Sequence, residues 1–124
     1  MGADQIAELR PAIVEVFAAA ATGEDWCATF SVAGHAGPWV QVTRDAINAG
    51  YPGDTPPSRL IENLPLPASV ALQVVAWEPS KFVTFSFYQH ASERDVATVV
   101  DVLFESLLGA GADYAVDVEL FRIA

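Results

Sequence analysis

From about Ala3 to Thr22 the chain places Ile6, Leu9, Ile13, Val16, Phe17 and Ala20 at helical spacing, with Asp4, Glu8 and Glu15 largely on other faces. This pattern predicts an amphipathic helix. Pro11 lacks an N–H and is incompatible with an unperturbed helix interior, so the regular helix is expected to begin near Arg10, or a short helix to be kinked there. Gly23 follows as a left-handed cap. The period then switches to two. Trp26, Ala28, Phe30 and Val32 alternate with Cys27, Thr29, Ser31 and Ala33, and after the turn residues Gly34 to Pro38 the stretch Trp39 to Thr43 predicts a second strand, paired as a hairpin. Within it Val40 and Val42 are expected to face the helices and Trp39, Gln41 and Thr43 the other side.

Between Arg44 and Pro57 the alternation dissolves into Asp45, Asn48, Gly50, Pro52, Gly53, Asp54 and Pro56, which predicts a helical turn at Asp45–Asn48 and then a long loop. Ser58 to Leu64 follows as two turns of helix, started by Pro57 and stopped at Pro65. A second hairpin is predicted from the apolar run Val70 to Trp77, the turn Glu78 to Lys81, and the alternating Phe82 to Gln89. Ser92 opens the strongest helix as its N-cap, with Val96, Val99, Val100, Leu103 and Leu107 on the buried face and Gly109 at its end. Tyr114, Val116, Val118 and Leu120 then alternate with Asp117 and Glu119 as a last strand with an acidic outer face. The expectation is a single α+β domain over residues 1–124, an antiparallel sheet of about five strands with two long helices on one face, in the order α-β-β-α(short)-β-β-α-β.

Composition narrows the classes of function. Of 124 residues 52% are hydrophobic and 18% charged, and Asp plus Glu number 16 against 6 Lys plus Arg, a formal net charge of -10. That apolar content argues against disorder. The charge argues against nucleic acid and anionic membrane surfaces as partners, because the basic residues Arg10, Arg44, Arg59, Lys81, Arg94 and Arg122 are scattered. A lone Cys27 and an amino terminus without a basic, then apolar, leader favour the cytoplasm.

Residues capable of chemistry do not assemble into a motif. His35 and His90 fall in predicted turns, and His90 with Glu93 supplies two potential metal ligands where zinc needs at least three. Cys27 lies mid-strand among apolar neighbours, and the acids Glu24, Asp25, Asp113, Asp117 and Glu119 fall on turns or an outward face. No catalytic residue, metal or cofactor is therefore expected. What remains is aromatic surface. Trp39, Trp77, Phe82 and Phe121 are candidates for the uncovered side or rim of the sheet, where they would form a partner-binding patch or a homodimer seam, or else complete a core.

The amino-terminal amphipathic helix, Trp39-Val40 in a strand, Asn48-Ala49-Gly50-Tyr51-Pro52, the Trp77-Glu78-Pro79 turn, an aromatic strand and a closing amphipathic helix, in an acidic chain of this length, resemble the type III secretion chaperone and YbjN-like superfamily over residues 3–109. The resemblance implies a non-enzymatic, chaperone-like domain, often a homodimer, that holds an extended protein or peptide segment against apolar patches. By position it points to Trp39, Tyr51 and Trp77 as partner-binding residues, to which Phe82 is added from its place across the turn from Trp77. The chain departs from the pattern in its strand after the last helix and in its short, proline-bounded central helix. Two other readings stay open. One is a small-ligand or enzymatic domain with a pocket between sheet and helices, using Tyr88, His90 and Glu93. The other is an acidic immunity or inhibitor protein.

Overall fold

Helix α1 spans Ala3–Ala21 in the computed structural model, which describes residues 3–33, 37–111 and 114–123. It buries Leu9, Ala12, Ile13 and Val16, as the spacing predicts, but it neither starts at Arg10 nor stops at Pro11. Pro11 lies on the exposed side, as does Ala7, whose carbonyl the proline cannot bond. Water is available to that carbonyl, which removes most of the reason for a break. Gly23, at a φ of 84°, turns the chain out of the helix.

Six strands follow where about five are expected. β1 (Trp26–Val32), β2 (Trp39–Val42), β3 (Ala46–Gly50), β4 (Gln73–Glu78), β5 (Phe82–Ser86) and β6 (Val116–Arg122) form one antiparallel sheet in the order β4-β5-β3-β2-β1-β6. The additional strand is β3, in the stretch expected to be a helical turn and loop. Its sequence, Ala-Ile-Asn-Ala-Gly, has little intrinsic strand preference. It is a strand because it is held from both sides, Ile47 lying opposite Val42 on β2 and opposite Phe85 on β5. The second hairpin is shorter than predicted. Ala68–Val70 forms a turn of 3-10 helix before β4, and β5 stops at Ser86, beyond which the Tyr88 N–H donates to the Val70 carbonyl.

Short helix α2 (Pro57–Ile61) starts on its proline, as expected, but ends at Ile61 rather than Leu64, the Asn63 and Leu64 N–H groups closing tighter turns onto the Leu60 and Ile61 carbonyls. Helix α3 (Glu93–Val102) is capped by Ser92, whose Oγ accepts the Asp95 N–H at 3.1 Å. It widens into a π turn at Leu103–Leu107, a detail the periodicity does not disclose. The two long helices pack on one face of the sheet. Their Leu9, Ile13, Val16, Val96, Val99 and Val100 meet Ala28, Phe30, Val40, Val42, Ile47, Val83 and Phe85 in a single core. The opposite face is left to Thr29, Ser31, Trp39, Gln41, Asn48, Phe82 and Thr84. β6 adds to the sheet beside β1 over its whole length, pairing Trp26 with Arg122 at one end and Val32 with Val116 at the other.

Candidate functional site

The uncovered face is built in rows that run across the strands. Thr84, Asn48, Gln41 and Thr29 stand directly opposite one another on β5, β3, β2 and β1. Their side chains form a continuous hydrogen-bonded ladder. Thr84 Oγ1 donates to Asn48 Oδ1 at 2.9 Å, Asn48 Nδ2 to Gln41 Oε1 at 3.5 Å, and Gln41 Nε2 to Thr29 Oγ1 at 3.3 Å. The middle of this face thus satisfies its own polar groups and is not the apolar surface the sequence suggests.

Apolar character returns in the row beside the ladder, where Trp39 opens β2 two residues before Gln41. Its indole lies flat over Gly50, so closely that a Cβ at that glycine would overlap the five-membered ring. Phe82 is the cross-strand neighbour of Gly50 on the other side. Tyr51, one residue on, is buried, and its phenol donates to the Thr55 carbonyl at 2.7 Å. A Cβ at Gly53 would come within 2.8 Å of that phenolic oxygen, so both aromatic rings rest on glycine backbone. Burial, and after it the Asp54 carboxylate, holds the Tyr51 phenol above its ordinary pKa. Trp39 and Tyr51, with Pro38, Pro52, Lys81 and Leu108, line a cleft of about 280 Å³. Lys81 at its rim pairs with Glu78 at 2.9 Å, with both side chains largely in solvent. No hydrogen bond ties the Trp39 N–H to another described residue, which leaves a donor beside the cleft.

Of the five aromatic residues singled out in the sequence, Trp39, Tyr51 and Phe82 come together around Gly50, and Trp77 does not. It stands opposite Val83 on β5 and packs against the helix-covered core, on the other side of the sheet from Trp39. The bulge between Val74 and Ala76 lies just before it, and an odd residue in a strand reverses the face of everything beyond it. Phe121, in contrast, lies on the uncovered side, opposite Cys27.

The alternative polar cluster is only partly assembled. Tyr88 and His90 meet edge to face at 5.3 Å, both exposed. The cavity beside His90, about 370 Å³, is lined by Arg44, Asp45 and Gln89 and by neither Tyr88 nor Glu93. Arg44 stacks on Phe17 at 4.4 Å and donates from Nη2 to the Gln89 carbonyl. At the centre of the domain Phe30, Phe85, Leu9 and Ile13 fill the space between sheet and helices. Cys27 is buried, and desolvation, opposed by a contact with Thr29, raises its thiol pKa, a setting that suppresses nucleophilicity. His35 and Asp113 lie outside the described residues.

One buried polar cluster was not anticipated. Asp101 of α3, 2% exposed, accepts the Tyr114 phenol at 2.7 Å just ahead of β6. Desolvation first, then Asp101, pushes that phenol far above its usual pKa. Glu105, one turn along, is raised by desolvation and by Asp101 as well. In the sequence Asp101 is the one acid on an otherwise apolar helix face, the only hint that it needs a partner.

Among the described residues no three or more His, Cys, Asp or Glu side chains group as metal ligands, and no helix is long and apolar enough to cross a membrane. Compared with known proteins, the chain matches no family model, and neither a curated protein nor a solved structure is significantly similar to it.

Proposed function

We propose that this chain is a small, acidic, non-catalytic protein-binding domain of chaperone or adaptor type, which holds an extended segment of a partner polypeptide. The observation that carries the proposal is the Trp39–Tyr51 cleft. Its two aromatic walls rest on Gly50 and Gly53 and are thus ordered before anything binds, which lowers the entropic cost of recognition. Pockets that enclose whole metabolites generally run from about 300 to 1,000 Å³. A cleft of about 280 Å³ at the edge of an uncovered sheet face suits one apolar side chain of a passing segment, with the Trp39 N–H placed to donate to a backbone carbonyl of that segment. The resemblance to secretion chaperones and YbjN-like domains points the same way. A homodimer and a cytoplasmic setting belong to the same proposal, the first from that resemblance and the second from the lone buried cysteine.

The test is an array of immobilised extended peptides probed with the intact chain and with Trp39→Ala and Phe82→Ala. Binding to a subset rich in apolar residues, weakened about tenfold by Trp39→Ala, is the expected result. A metabolite that raises the melting temperature by several degrees while no peptide binds would replace this reading with the small-ligand one. Sedimentation velocity checks the dimer.

A further inference from the structure

β6 is an edge strand, and no strand among the described residues pairs with its outer side. The Ile123 N–H donates to the Asp25 carbonyl and the Ala115 carbonyl accepts the Ala33 N–H, so the odd-numbered residues of this strand face β1. Antiparallel alternation then turns the N–H and C=O groups of Val116, Val118, Leu120 and Arg122 outward. The Val116 N–H is already taken by the Glu8 carboxylate at 3.0 Å, which leaves the groups of Val118 and Leu120 as the available edge. Here too lie four of the seven large hydrophobic residues that are exposed among the described ones: Val118, Leu120, Phe121 and Ile123. Soluble sheets blunt such edges with proline, a bulge or charged side chains, lysine above all, and β6 has only the charges of Asp117, Glu119 and Arg122 for this. The far edge, β4, is bulged, whereas β6 pairs in unbroken register and carries neither proline nor lysine.

We propose that this edge receives an antiparallel strand from a different polypeptide, one that alternates apolar and basic residues. Val118 and Leu120 project from the helix side of β6 and call for apolar neighbours, while Asp117 and Glu119 project from the other side and favour Lys or Arg directly opposite. A second copy of this chain fits poorly. The register that pairs all of β6 with its own symmetry mate, Val116 against Arg122, sets Glu119 against Glu119, and the neighbouring register toward the amino end sets Asp117 against Glu119; the shift toward the carboxyl end opposes no acids but sets Val118 against Arg122 and Glu119 against Phe121 and leaves Val116 outside the pairing. Each copy also brings a net charge of -10. A basic strand relieves both repulsions. This surface is separate from the Trp39 cleft and stands or falls on its own.

The experiment titrates the intact, isotopically labelled chain with short end-blocked peptides alternating valine with lysine or valine with glutamate. The Val/Lys peptide is expected to bind, to shift the Val118 and Leu120 amides, and to lose about tenfold in affinity in Leu120→Lys or from low to high salt. Should Leu120→Lys fail to fold, the surface double variant Asp117→Lys/Glu119→Lys is expected to reverse the preference toward Val/Glu. Equal binding of the two peptides, no binding at millimolar concentration, or shifts centred on Trp39 would overturn the proposal, the last of these leaving the cleft reading intact. A wild-type dimer that Leu120→Lys dissolves would overturn it in favour of a second copy.

Discussion

Trp39 occupies the space above Gly50 that any other residue at position 50 would claim. Replacing a strand glycine with alanine ordinarily stabilises a protein by roughly 0.5–1 kcal/mol. Here the sign is expected to reverse. Gly50→Ala must lift the indole or shift β3, a form of overpacking that costs about 1–3 kcal/mol. Urea unfolding followed by circular dichroism reads the stability, and tryptophan emission reads the displacement. A variant as stable as the wild type, with unchanged emission, would show that the ring is not seated there.

Trp77 is expected to behave differently. Its indole N–H is buried without a partner among the described residues, so Trp77→Phe removes a desolvated donor along with some packing. The two effects are of similar size, about 1–3 kcal/mol each, and the net change in stability should stay within ~1 kcal/mol. Peptide binding should be unaffected, since Trp77 lies on the helix-covered side. A larger loss of stability would mean that the N–H finds a partner in solution.

Tyr114→Phe should be costly for its size. The variant keeps the ring, which packs against Phe104 at 5.0 Å, but leaves the buried Asp101 carboxylate without its phenol donor. An acceptor stranded in this way costs about 1–3 kcal/mol. Because Tyr114 anchors the chain just before β6, the amides of that strand should also exchange faster with deuterium in the variant.

Glu105 makes stability depend on pH in a stated direction. Its carboxyl titrates above the ordinary glutamate range because of desolvation and the neighbouring Asp101. An acid whose folded pKa exceeds its unfolded one binds more protons in the folded chain between the two values. Stability from this group is therefore greatest at acid pH, falls as pH rises through that window, and is lowest above it. Glu105→Gln is expected to match the wild type in melting temperature near pH ~4 and to exceed it at neutral pH. A variant that melts below the wild type at neutral pH would contradict the assignment.

The long helices and most of the strands were legible because their periods are clean. Leu9, Ile13 and Val16 keep helical spacing, Ser92 caps where a cap is needed, and Val40 and Val42 alternate with Trp39 and Gln41. β3 was not legible, since Ala46 to Gly50 acquires its conformation from the two strands that hold it. Nor was the side of the sheet that Trp77 takes, because alternation carries no mark of the bulge at Val75 that reverses it. Of the candidate site, the aromatic residues were visible and their grouping was not. Trp39, Tyr51 and Phe82 converge through Gly50, a residue with no side chain to signal its part.

Local periodicity and turn chemistry, then, were enough to determine an α+β domain with an antiparallel sheet and two long helices on one face, because burying one side of an element leaves a repeat in the sequence. The tertiary structure decided what lies on the other side. The pairing register joined Thr84, Asn48, Gln41 and Thr29 into one ladder, brought Trp39 over Gly50, and left β6 with an open acidic edge. Turn residues mark the β1–β2 and β4–β5 hairpins, but no local pattern records that β3 lies between β2 and β5 or that β6 lies beside β1.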